Sequence, residues 1–202
     1  MTLRFLILIS LSFTIAFGNI SLSGCTSSNS QSPSPVKYFN IAMEKAKQGN
    51  NKEAIADLDK AILSYPEFSL AYAKRGFLKQ ELGDNKGAIN DFNVAIKINL
   101  NWSQTDIADA YYFRGTSKFN LEDYKGAITD YNEAILVQPE SSLNTFIYNE
   151  RAIAKIILGD KQGAISDART SIKLFQKYGY SDKSPEEYRK IIKFLKELES
   201  TP

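Results

Sequence analysis

The 202-residue chain contains no histidine and a single cysteine, Cys25. Without imidazole, Ser-His-Asp catalysis, Cys-His catalysis and histidine metal ligation are all excluded. One cysteine forms neither an internal disulfide nor a thiolate metal cluster. Carboxylate chemistry remains, but the acids follow a fixed register instead of meeting as a pair. Asp57, Asp91, Asp130 and Asp167 each come twelve residues after a lysine, at Lys45, Lys79, Lys118 and Lys155. Arg75, Arg114 and Arg151 stand four residues before the last three lysines, on the same helical face. The first copy has Ile41 there and no copy before it. Cations and carboxylates that alternate in register read as a structural ion-pair ladder. Its expected pairs are Arg75 with Asp57, Arg114 with Asp91, and Arg151 with Asp130, closed by Arg189 on Asp167. The competing reading is a cationic strip for lipid headgroups or cell-wall anions. With 25 lysines and arginines against 23 acids, the net charge of +2 speaks against nucleic acid as a partner. We expect no enzyme, no cofactor and no metal.

The elements that carry this register repeat along the chain. Glu53-Ala-Ile-Ala-Asp57, Gly87-Ala-Ile-Asn-Asp91, Gly126-Ala-Ile-Thr-Asp130 and Gly163-Ala-Ile-Ser-Asp167 are one motif, with alanines 34, 39 and 37 residues apart. A second motif precedes it as Tyr38-Phe-Asn-Ile-Ala42, Tyr72-Ala-Lys-Arg-Gly76, Tyr111-Tyr-Phe-Arg-Gly115 and Tyr148-Asn-Glu-Arg-Ala152. Helix-stop signals separate the two, at Gly49, Gly83, Glu122 and Gly159.

This pattern resembles the tetratricopeptide repeat. The resemblance implies an all-α, right-handed α-solenoid of four helix pairs, at about 35–68, 69–102, 108–141 and 145–178. Small residues are expected where paired helices cross: Ala42, Gly76, Gly115 and Ala152 against Ala54, Ala88, Ala127 and Ala164. The bulky filler between them is Leu58, Phe92 or Tyr131, with Ala168 in the last copy. Inserts before the third and fourth copies carry Ser103-Gln-Thr-Asp106 and Ser141-Ser-Leu-Asn144, so both first helices are expected to begin a turn early. Residues 185–199 form a further helix. Pro185 suits its first turn, and Tyr188, Ile191, Ile192, Leu195 and Leu198 make one stripe that would cap the array.

Ahead of the repeats, Arg4 is followed by an apolar run from Phe5 to Phe17. It is too short to span a bilayer comfortably and has the charge order of a secretory signal. Leu22-Ser-Gly-Cys25 directly after it resembles the bacterial lipobox. That resemblance implies cleavage of 1–24 and acylation of Cys25, placing the protein in the cell envelope, at the outer membrane in a diderm host. Residues 25–36 are rich in serine and proline and read as a tether leading into a repeat domain at 37–199.

In tetratricopeptide proteins the first helices line a concave groove that holds a partner. Carried over by position, the groove here comprises Val36, Phe39, Met43, Leu70, Ala73, Phe77, Gln80, Asp109, Tyr112, Thr116, Phe119, Phe146, Asn149, Ile153 and Ile156. Chaperone-tail binders of the family place lysine and asparagine where this chain has Phe39, Met43, Phe77 and Tyr112. An apolar peptide or amphipathic helix of a protein partner is therefore expected. Trp102, in the first insert, is expected to pack as a wedge where proline is missing. The sequence leads to a membrane-anchored adaptor or assembly factor, or alternatively to an envelope protein using its cations on lipid. It names neither the partner nor an oligomeric state.

Overall fold

The computed structural model describes residues 34–98 and 103–200, with the side chains of 104 and 105 excepted. Cys25, the apolar leader, nearly all of the tether and Trp102 lie outside the described residues. The described chain holds ten helices and no strand: α1 Pro35–Lys47, α2 Asn51–Ser64, α3 Ser69–Glu81, α4 Asn85–Ile98, α5 Gln104–Asn120, α6 Tyr124–Val137, α7 Asn144–Ile157, α8 Lys161–Lys177, α9 Tyr180–Lys183 and α10 Pro185–Ser200. They form an α-solenoid of four pairs closed by α10. Pro33–Pro202 is a compact unit of its own, and every core cluster lies inside it. Three-residue turns within each pair force antiparallel packing. The start of α1 and the ends of α2, α4, α6 and α8 therefore share one edge.

Local chemistry fixes the helix starts. Ser34 accepts a hydrogen bond from the Lys37 amide at 3.3 Å, and Pro35 opens α1. Asp84, Asp123 and Asp160 accept from the amides of Gly87, Gly126 and Gly163 at 2.9, 3.0 and 2.8 Å. A Cβ on any of these three glycines would collide with the capping carboxylate, which explains Gly-Ala-Ile in three copies. Ser103 and Asp106 form the expected capping box, and α5 starts eleven residues before Gly115. The corresponding distance in α3 is seven residues, so α5 does begin a turn early. Helix α7 does not. It starts at Asn144, only eight residues before Ala152. The second insert instead makes a turn, stitched by the Asn144 amide donating to the carbonyls of Gln138 and Pro139 at 2.9 and 2.8 Å.

The turns of copies one, two and four place glycine at φ 80°, 84° and 85°, whereas the third puts Glu122 at φ 64°. A side chain in this left-handed region costs about 1 kcal/mol relative to glycine. Glu122→Gly is therefore expected to raise stability by about 1 kcal/mol, read as a shift in urea midpoint.

Packing explains the small residues. A Cβ on Gly76 would sit 3.2 Å from Phe92 and Asp91, and one on Gly115 would sit 2.8 Å from Tyr131. Leu58, Phe92 and Tyr131 are fully buried beside them. In the last copy, where Ala168 leaves room, a cluster of Phe146, Phe175, Tyr180, Tyr188 and Ile191 takes over. Helix α10 lies antiparallel on α8, with Tyr188 against Phe175 at one end and Glu199 bonded to Arg169 at the other. Ile191 and Leu198 are buried under it, which is the end cap a solenoid needs.

Candidate functional site

The ladder exists, but within repeats. Arg75 clasps Asp91 of its own pair with Nε and Nη2 at 2.9 and 2.6 Å, and Lys79 joins at 2.8 Å. Arg114 and Lys118 hold Asp130 in the same way, as do Arg151 and Lys155 with Asp167. The expected pairs Arg75–Asp57, Arg114–Asp91 and Arg151–Asp130 are corrected accordingly. Each arginine sits one residue before the small residue where its two helices cross, so the aspartate across that crossing is the nearest acid. Exposed Arg189 does not reach Asp167, which Arg151 and Lys155 already fill.

The contact to the preceding repeat does form, two residues further on. The third guanidinium nitrogen bonds Asp59, Asn93 or Asn132 at 2.6, 2.8 and 2.6 Å. At the same register the fourth repeat has Arg169, which pairs with Glu199 of α10 at 2.7 Å. The cap is thus joined by the same contact with its charges exchanged. Each arginine also stacks on a tyrosine, Tyr72, Tyr111 or Tyr148, at 4.9–5.3 Å. In repeat one, Lys60 replaces the missing arginine on Asp57 at 2.7 Å, beside Lys45 at 2.6 Å. Hydrogen bonds from these two lysines hold the Asp57 carboxyl below the usual range. The ladder cations are occupied by buried aspartates, so they do not form a free cationic strip.

The groove also differs from its expected apolar lining. First helices of successive repeats touch: Gln80 donates to the Phe113 carbonyl at 3.1 Å, and Phe77 meets the Phe113 ring edge-on at 5.0 Å. Phe39 and Met43 are drawn into the first repeat's core, with Phe39 against Phe68. Phe119 packs on Tyr124, and Ile156 packs on the cluster beneath α10. Phe146 is buried against Phe175 and Tyr180, because the short helix α9 folds over it. Leu70, Thr116, Asn149 and Ile153 remain half-buried along α3, α5 and α7.

Between them lies a polar centre. Glu150 of α7 accepts hydrogen bonds from the hydroxyls of Tyr112, Tyr131 and Thr116 at 2.8, 2.7 and 3.0 Å. Among the described residues no lysine or arginine pairs with it. Its carboxylate is enclosed, and desolvation pushes its pKa up against the three hydroxyls that favour the charge. Burial and the nearby Glu150 charge raise the Tyr112 and Tyr131 hydroxyls well above their ordinary range, so both donate at neutral pH. One helix away, burial raises Asp109 to about 6 despite Lys74, and burial lowers Lys74 to about 8 despite Asp109 and Asp106. The groove centre therefore holds Glu150 among its three hydroxyls and, one helix away, Asp109 beside the Lys74 ammonium. Glu150 and Lys74 were not among the expected groove residues. They occupy the register of Asn40 and Phe113, where comparison of the copies shows no constant chemistry.

Among the described residues no three acid or cysteine side chains are placed to hold a metal ion, and no helix is long and apolar enough to cross a membrane.

Comparison with known proteins agrees with this fold. The tetratricopeptide repeat family model matches residues 38–68 and 108–141. No curated protein matches in sequence. The first tetratricopeptide domain of Spaghetti, solved bound to the HSP90 peptide SRMEEVD, is 22% identical with a TM-score of 0.56, over 62% of this chain and 93% of that one. A MamA protein is 19% identical with a TM-score of 0.62, over 81% of this chain and 89% of its own. The Cut9 complex with Hcn1 gives 18% identity and a TM-score of 0.66 over 82% of this chain, which spans 30% of the matched one. The two matched segments are tetratricopeptide repeats, and the described chain as a whole has the α-solenoid fold of these structures.

Proposed function

We propose that this chain is a membrane-anchored interaction module, held by an acylated Cys25, whose groove receives a segment of a partner protein. The carrying observation is the groove centre, where Glu150 is enclosed with three hydroxyls and no cation bonded to it, and Asp109 is desolvated beside Lys74. Groups paying for burial without a matching cation are poised to gain from one. The preferred segment thus carries a lysine or arginine flanked by apolar residues, which would rest on half-buried Leu70 and Ile153. The neighbour's peptide, SRMEEVD, ends in acidic residues. This groove suits the opposite charge.

A photo-crosslinking residue at Asn149 is expected to trap a polypeptide in the protein's own membranes, while the same residue at Thr129, on the outer face, traps none. Adding Asp109→Asn and Glu150→Gln should weaken trapping at Asn149 by roughly tenfold, the usual scale for losing one charged contact. Equal trapping from both faces would sink the groove as the site.

A further inference from the structure

Leu63 and Leu136, 84% and 72% accessible, are the most exposed large apolar side chains among the described residues. Both lie nine residues after a motif alanine, in the last turns of α2 and α6. The same register in α4 and α8 is filled by exposed Lys97 and Lys173, for which no acid partner is found among the described residues. Since lysine serves equally in two copies, packing does not require leucine in the other two. The row runs leucine, lysine, leucine, lysine across successive second helices, with exposed Tyr65 just past the first. Of the acids near this edge, Glu140 is bonded to Lys177 and Asp106 to its own helix start, while Glu67, Asp182, Glu186 and Glu187 stand among Lys183, Arg189 and Lys190.

We propose that this edge, formed by the C-terminal ends of α2, α4, α6 and α8, rests on an anionic bilayer surface. The leucines would enter the headgroup boundary while the lysines keep their ammonium groups on lipid phosphates and their stems among the leucines. The position of the chain ahead of the fold supports this occupant. Helix α1 begins at this same edge, so the segment leading back to Cys25 departs from it. The eight residues between Cys25 and Ser34 reach at most about 28 Å. The inference rests on the reading of Cys25 as acylated, since that anchor would hold this edge nearest the lipid.

The test uses residues 33–202, a compact unit without Cys25, so no acyl chain contributes. It is expected to cosediment with phosphatidylglycerol–phosphatidylcholine vesicles more strongly than with phosphatidylcholine alone. Leu63→Asp/Leu136→Asp should lower the partition coefficient roughly tenfold. A matched pair at the opposite edge, Leu121→Asp/Leu158→Asp, should leave it unchanged, with circular dichroism confirming helix content in both variants. Lys97→Gln/Lys173→Gln should erase the preference for the anionic vesicles. Absence of binding by the parent, or equal loss from the two leucine pairs, would overturn the proposal. Release of full-length Cys25→Ser from cell membranes checks the anchor separately, so either reading can fail alone.

Discussion

Asp130→Ala is expected to destabilise the protein by about 3–5 kcal/mol, seen as a lower urea midpoint at neutral pH. Asp130 is 1% exposed and receives Arg114 through two nitrogens at 2.6 and 2.9 Å, plus Lys118 at 2.8 Å. Removing it leaves two cations beside a desolvated cavity with no acid to answer them, which costs far more than losing a surface pair. Arg114 would keep only its bond to Asn93 and its stacking on Tyr111. The same change at Asp57 should cost less, about 1–2 kcal/mol, because its partners Lys45 and Lys60 are 33% and 55% exposed and can turn to water. A double change, Arg114→Met/Asp130→Leu, should recover most of the Asp130→Ala loss, since no charge is left buried. If Asp130→Ala and Asp57→Ala lost the same amount, burial would not govern the ladder.

The repeat architecture was legible in the sequence because small crossing residues leave a rigid signature. Gly115 has no room for a methyl group and Gly76 only a tight fit for one, and alanine at four matched positions of the second helices follows from the same close contact. The ladder's members were legible too, but not their pairing. A fixed register says which residues share a face, whereas the choice between the crossing helix and the previous repeat depends on depth. The close crossing at Gly76, where an added Cβ would meet the Asp91 Cβ at 3.2 Å, places Arg75 nearer to that acid than to Asp57. The groove was less legible. Tyr112, Thr116 and Asn149 fell at positions the fold carries over, yet the group that organises the first two is Glu150. A buried acid whose register changes from Asn40 to Lys74 to Phe113 gives no repeat signal. What marked Lys74 and Glu150 was that only they are charged at that position. Likewise, α7 kept its ordinary start because the Asn144 side chain capped the preceding carbonyls instead of extending the helix.

The pH profile of stability is expected to carry the groove's signature, with the opposite sign to ordinary acid denaturation. Burial lifts the Asp109 carboxyl to about 6 in the folded protein, against about 3.9 in the unfolded chain. Below about pH 4 both states hold the proton and nothing is lost. Between about pH 4 and pH 6 the unfolded chain ionises first, so stability falls as pH rises, by about 3 kcal/mol in all for a shift of this size. Above that the penalty is constant. Glu150, also raised by burial, adds a loss of the same sign. Lys74 acts at the other end: lowered to about 8, it makes stability rise with pH from there toward the ordinary lysine range near 10.4. The Asp57 carboxyl, held low by Lys45 and Lys60, contributes stability that disappears only as pH drops below the ordinary aspartate value, outside this window. Urea midpoints of the parent should therefore decline from pH 4 to pH 6. Asp109→Asn should remove most of that decline and make the protein more stable at pH 7, while leaving the rise above pH 8 in place. An unchanged slope in Asp109→Asn would show that Asp109 is solvated as an ordinary surface acid. The same protons link stability to binding. A cation entering the groove favours both carboxylates ionised, so a basic segment should bind more tightly as pH rises from 5 to 7, over the range in which the empty groove is losing stability.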